Sequence, residues 1–202
     1  MGRWAVVLVA LLGLLAGCFE PDLPEGNHFG PRGGAIFGPR ALAPGDGVVS
    51  MIERLENHSD ETLSIVSIEP FGTDNIGRVA EVVSIELARP PEGGPIEHLG
   101  AYEVYPPAVV RSGTRCLVHV VEPFSGFTFT QSSQPAGLAV RFRALAPGKA
   151  KIDGLRIVYE AGGERFEHLT GGGVRIKVKE NATSPSLRRI RNVCAGQVEV
   201  LR

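Results

Sequence analysis

The chain has 202 residues, and its 21 Lys+Arg nearly balance 22 Asp+Glu, so it lacks the strongly basic character of a nucleic-acid-binding domain. Its 26 Gly and 15 Pro against 2 Met favour strands and turns over long helices. The length suits one domain with extensions, large enough to bury its own core.

The first 17 residues read as a signal peptide. Met1-Gly2-Arg3 supplies one positive charge, and the apolar run from Trp4 reaches Leu15. That run is too short to span a membrane, which takes about 20 apolar residues. Gly2 does not begin a myristoylation motif, because position 6 is Val. Leu15-Ala16-Gly17-Cys18 then sets an apolar residue and two small residues before a cysteine. Here the chain resembles the bacterial prolipoproteins over its first 18 residues, with this stretch as the lipobox. The resemblance implies a diacylglycerol on the Cys18 thiol and cleavage between Gly17 and Cys18. Small residues let an extended backbone enter the peptidase, and the thiol is the nucleophile that accepts the lipid. Two or three acyl chains give a stable anchor where one binds only marginally. The implied place is the cell membrane, held by lipid at Cys18 and facing the extracytoplasmic side. Without residues 1–17 the chain keeps 20 Lys+Arg and 22 Asp+Glu, a net charge of −2.

Residues 18–47 read as the lipidated cysteine and a Gly/Pro-rich linker, a spacer between bilayer and domain. The alternative is that part of it, around Ala35 to Phe37, packs as an edge strand.

From residue 48 to 180 strand signals follow one another. Val48 to Leu55 would set Val49, Met51 and Leu55 on one side. Asn57-His58-Ser59-Asp60 is a turn cluster. Thr62 to Ile68 is β-branched and ends at Pro70. Val79 to Leu87 would set Val79, Val83, Ile85 and Leu87 on one face. Residues 90–95 are a loop, Tyr102 to Tyr105 a short edge strand, and Leu117 to Val121 a strand closed by Pro123. Ala136 to Ala144 alternates strictly, as a half-buried strand requires. In Ala150 to Glu160 the apolar phase slips at Asp153-Gly154, which predicts a β-bulge there. Ala161-Gly162-Gly163 is a hairpin turn. Arg165 to Leu169 returns, and beyond Gly171-Gly172-Gly173 the residues Val174, Ile176 and Val178 alternate with Arg175, Lys177 and Lys179.

This is the pattern of an all-β, antiparallel sandwich. The run from Leu145 to Tyr159 resembles the late strands of immunoglobulin-like domains, with Tyr159 in the place of a corner tyrosine. The Cys…Trp…Cys spacing of true immunoglobulin domains is absent, since the chain's one Trp is Trp4. Residues 181–202 form a short basic C-terminal extension. Ser184-Pro185 opens a short helix through Arg191, Arg188 and Arg189 lie within it, and Gln197 to Leu201 is a last strand.

With Cys18 assigned to lipid, Cys116 and Cys194 remain as an even pair in an exported chain. A disulfide would tie the extension back to the domain. Two free thiols or a shared metal site are the alternatives, and no CxxC or Cys-His spacing supports the second.

Catalytic signatures are lacking. There is no Gly-x-Ser-x-Gly around Ser125-Gly126, and the glycine runs lack the strand-to-helix context of a phosphate loop. Asp74 and Glu81 read as solvated acids rather than a pair. Phe124, Phe127 and Phe129 read as core or loop packing. The five histidines show no HExxH or His-x-His spacing. The expectation is a non-enzymatic binding or assembly module without a cofactor or a metal. Its partners are membrane lipid through Cys18 and an unidentified protein or cell-envelope component, with no nucleic acid. The alternative is a metal-handling lipoprotein using His98, His119 and His168.

Overall fold

The computed structural model describes residues 23–30, 36–38, 41–91, 99–111, 115–182, 194 and 196–201. Strands β1 (Ile36–Phe37), β2 (Gly47–Leu55), β3 (Leu63–Phe71) and β4 (Ala80–Arg89) open the fold. Short pieces follow: β5 (Gly100–Tyr102), β6 (Val104–Tyr105), β7 (Ala108–Arg111), β8 (Arg115–Val118), β9 (Val120–Pro123) and β10 (Thr128–Phe129). Then come β11 (Ala136–Ala144), β12 (Gly148–Ile152), β13 (Gly154–Ala161), β14 (Glu164–Leu169), β15 (Gly173–Val178) and β16 (Glu199–Val200).

One layer is a five-stranded sheet in the order β5-β2-β11-β4-β9, antiparallel throughout. The facing layer is built from two sheets, β10-β3-β13-β14 and β1-β15-β12. Ile52, Leu87, Leu138 and Phe142 from the first layer meet Leu63, Leu155, Ile157, Tyr159 and Val174 from the second in one core. The protein is therefore an all-β sandwich. Alternate side chains of each strand enter that core, which is the apolar period of two read from β11 and β15.

Three bulges reset that period. Ile52 is the extra residue of β2 between Met51 and Glu53, which pair with Ala139 and Leu138. Val49 and Met51 therefore lie on the outer face of the sheet, while Leu55 faces the core with Ile52. Val83 is the extra residue of β4 and Val66 that of β3. Both are pushed outward, 49% and 41% exposed, so Val83 does not share a face with Val79 and Leu87. The phase slip at Asp153 has another cause. There the chain leaves one sheet for another, since β12 pairs with β15 while β13 pairs with β3 and β14. Strand β3 runs past Pro70 to Phe71, because its neighbour β10 covers only Leu63 and Ser64 and leaves the Pro70 edge open.

Gly162 and Gly163 close the β13–β14 hairpin with φ of 58° and 86°, a pair of positive values that suits the right-handed twist of the strands. The expected strand from Tyr102 to Tyr105 divides. Its first part edges β2, and its second pairs with β16. The strand from Leu117 to Val121 likewise breaks at His119.

The described parts of the expected spacer, beginning at Pro24, belong to the sandwich. Pro24 and Gly26 exchange main-chain hydrogen bonds of 3.0 and 2.8 Å with Glu167. Phe29 enters the core at 4% exposure, edge-on to Phe129 and Tyr159. A Cβ at Gly26 would overlap the Tyr159 hydroxyl, so the ribbon passes only because that residue is glycine. β1 then runs parallel to β15, and Leu42 bridges Val178 in the same sense. An aromatic side chain this deeply held contributes several kcal/mol. Phe29→Ala is expected to lower unfolding free energy by about 3–5 kcal/mol in chemical denaturation; a loss under about 1 kcal/mol would mean that the ribbon does not belong to the core.

Candidate functional site

The outer face of the five-stranded sheet carries a second, smaller core. Val49, Met51, Ala88 and Ala139 are covered there by Leu201, Leu99, Tyr102 and Tyr105. The covering layer is held by β16 on β6, β7 on β8, and the Cys116–Cys194 disulfide, whose Cα atoms lie 5.4 Å apart. The bridge spans 78 residues of sequence, and closing so long a loop contributes about 2–4 kcal/mol. Leu201 completes the layer. Its amide donates to the Glu103 carbonyl (3.1 Å), and its own carbonyl accepts from the Gly47 amide (3.3 Å). The C-terminal end is thus tied back as expected. Arg188, Arg189 and Arg191, and the helix expected around them, lie outside the described residues, as does Cys18.

The histidines do not converge. His168 is on β14, inside the sandwich and 2% exposed. Its Nε2 lies 3.0 Å from Glu53 Oε1, and Glu53 Oε2 accepts from the Gly171 amide at 2.9 Å. A carboxylate that accepts at both oxygens needs the imidazole proton on Nε2. His119 is equally buried but belongs to the outer layer. Its Nδ1 is 2.8 Å from the Pro107 carbonyl and its ring 6.3 Å from that of Tyr102. The five-stranded sheet therefore separates His119 from His168, and His98 lies outside the described residues. Among the described residues no three His, Cys, Asp or Glu side chains gather in a metal-binding arrangement.

The other polar candidates also serve the fold. Tyr159 is not a corner tyrosine, because its hydroxyl lies 2.9 Å from the His28 ring Nδ1 rather than on an upstream strand. Glu81 pairs with Arg143, while Asp74 bridges Lys151 through its main chain, so the two acids stand apart. Phe129 is fully buried, and Phe124 and Phe127 pack against the core. Glu53 was invisible to sequence reading. Simple alternation puts it with Val49 and Met51 on the outer face, and only the bulge at Ile52 turns it inward.

No protein-family model matches this chain, and a search of curated proteins finds no match. No helix among the described residues is long and apolar enough to cross a membrane.

Burial shifts all three of the chain's tyrosines in the same direction. Loss of solvent pushes Tyr102 up to about 12. Tyr105 rises through burial and the nearby Glu86 carboxylate, against the lowering effect of Arg141, whose guanidinium lies 4.8 Å over its ring. Burial raises Tyr159 against a hydrogen bond from the His28 main chain. The folded state thus holds phenolic protons that the unfolded chain releases near pH 10. Their stabilisation is complete below about pH 10 and is lost as pH climbs through the folded values. Alkaline titration of the folded chain, followed by phenolate absorbance with circular dichroism in parallel, is expected to show less than half ionisation at pH 10. Half the phenolate signal at pH 10 with the fold intact would contradict it.

Proposed function

We propose that this protein is a lipid-anchored module of the extracytoplasmic face of the cell membrane, acting by binding or assembly rather than by catalysis. The observation that carries the reading is Leu15-Ala16-Gly17-Cys18 at the end of a short apolar run. The Cys116–Cys194 disulfide within the covering layer supports an oxidising compartment. The buried His119 and His168 and the half-buried His28 support a structural role, since each is bonded within the fold: His28 to Tyr159, His119 to the Pro107 carbonyl and His168 to Glu53. The immunoglobulin-like resemblance belongs to the same reading, as sandwiches of this kind serve many binding roles, and fold alone selects none of them.

Six residue steps lead from Cys18 to Pro24, where the ribbon meets β14. Fully extended they reach about 20 Å. The sandwich is therefore kept near the bilayer, and its partner is met there rather than at the end of a long tether.

Cys18→Ala is expected to abolish incorporation of labelled fatty acid and to move the protein out of the membrane fraction. Retention of the variant in washed membranes at high salt, equal to that of the unaltered protein, would refute the anchor.

A further inference from the structure

The outer face of β12 and β15 is arranged against its own stability. The register sets Lys149 opposite Lys177 and Lys151 opposite Arg175. Ala150, Ile152, Val174 and Ile176 turn into the core, so the period of two sends all four cations to one side. Like charges directly opposed weaken an antiparallel pair. Lys151 finds Asp153, with Nζ donating to its carboxylate at 2.8 and 3.1 Å. Among the described residues Lys149, Arg175 and Lys177 make no ion pair. With Lys151 they line a depression of about 360 Å³ to which Asp74 adds one carboxylate. The opposite wall is fixed. Asp74 and Lys151 exchange main-chain hydrogen bonds of 2.9 and 3.0 Å, and the Asn75 amide donates to the Lys149 carbonyl at 3.0 Å.

An apolar residue stands beside these cations. β1 sets Ile36 next to Gly173 and Phe37 next to Val174. Phe37 packs inward, so Ile36 shares the outer face of Arg175 and Lys177, where it is 57% exposed, the most of any large apolar side chain described. The chain beyond residue 17 is net negative, so this cationic strip is a local departure from the overall charge.

We propose that this face docks on the anionic headgroups of a phospholipid bilayer, with Ile36 entering the headgroup region. The proposal rests on the lipid-anchored reading for the nearness of that bilayer. Phosphodiester charge relieves the repulsion that the register builds in, and an exposed aliphatic side chain flanked by cations suits the interface. The N-terminal ribbon gives the orientation. Its described pieces lie along one edge of the sandwich, Glu25 beside Glu167, Ile36 beside Gly173 and Leu42 beside Val178. Laid along the membrane, that edge brings the strip to the surface. Standing the sandwich on its Gly162-Gly163 turn would hold the strip away.

The test uses residues 18–202 with Cys18→Ser, which keep every described element and carry no acyl chain. Co-sedimentation is measured with phosphatidylcholine vesicles and with equal mixtures of phosphatidylcholine and phosphatidylglycerol. Binding is expected only to the mixed vesicles and to fall with salt. At about fivefold in partition per cation, Lys149→Gln with Lys177→Gln is expected to lower it about 25-fold. The same pair should leave the melting temperature unchanged or higher, since it removes a repulsion. Ile36→Ser, on an edge strand, gives an independent loss, and Arg54→Gln on the other layer gives none. Absence of binding to the mixed vesicles, undiminished binding by the double variant, or displacement by inorganic phosphate at constant ionic strength would overturn the proposal, the last by assigning the site to free anions. Because no acyl chain is present, these outcomes are separate from whether Cys18 is lipidated.

Discussion

A single buried carboxylate holds the two layers in register. Glu53 is 4% exposed on β2, yet it bonds the imidazole of β14 and the amide of Gly171 in the connection between β14 and β15. Taking a carboxylate out of water costs several kcal/mol, and only good geometry with every lone pair engaged offsets that cost. The three groups meet where the facing layer changes from one sheet to the other. Thr170 completes the junction, accepting from the Leu155 amide at 2.8 Å and donating to the Gly172 carbonyl at 3.1 Å. His168 in turn lies edge-on to Phe29, so the N-terminal ribbon rests on the same contact. Non-directional apolar packing alone would leave the stagger between layers free to slide; this polar junction fixes it.

Much of the molecule's periphery is committed in the same way. The outer face of the five-stranded sheet is closed by a layer that the disulfide and Leu201 hold down. One edge of the facing layer is occupied by the described pieces of the N-terminal ribbon, at Pro24 to Gly26, Ile36–Phe37 and Leu42. The outer face of β12 and β15 carries instead a row of four cations, of which Lys151 alone makes an ion pair, with Asp153, among the described residues. On the lipid-anchored reading the ribbon serves both as part of the fold and as the route to the membrane. The orientation of the sandwich then follows from the edge along which its N-terminus is laid.

Regular strands were legible in the sequence wherever one face meets the core and the other meets water. Ala136 to Ala144 and Val174 to Val178 alternate because each has such faces, and the Gly162-Gly163 turn carries its own conformational requirement. Strands covered on both sides misled. In β2 apolar residues serve two cores, so alternation could not say which face was which, and the bulge at Ile52 left no compositional mark. The ribbon misled for the opposite reason. Its Pro and Gly suggest a chain without enough apolar surface to order itself, but Phe29 and Leu42 each drop into a pocket formed by distant strands. The phase slip at Asp153 was a true signal with two structural solutions, a bulge or a change of sheet. The cysteine pairing was legible from parity once Cys18 was set aside. The cationic row was visible as alternation, but its head-on pairing of like charges depends on cross-strand register, which a single sequence does not state.

The account rests on Glu53 and His168 acting as one unit between the layers. A double-mutant cycle measures this directly, with unfolding free energies for Glu53→Leu, His168→Leu and the combined variant. Either single change strands a buried polar partner and is expected to cost about 3–5 kcal/mol. The double variant should cost less than the sum of the two, by a coupling of about 1–3 kcal/mol. Additive losses, or single variants as stable as the parent, would contradict the claim that this pair sets the register of the sandwich.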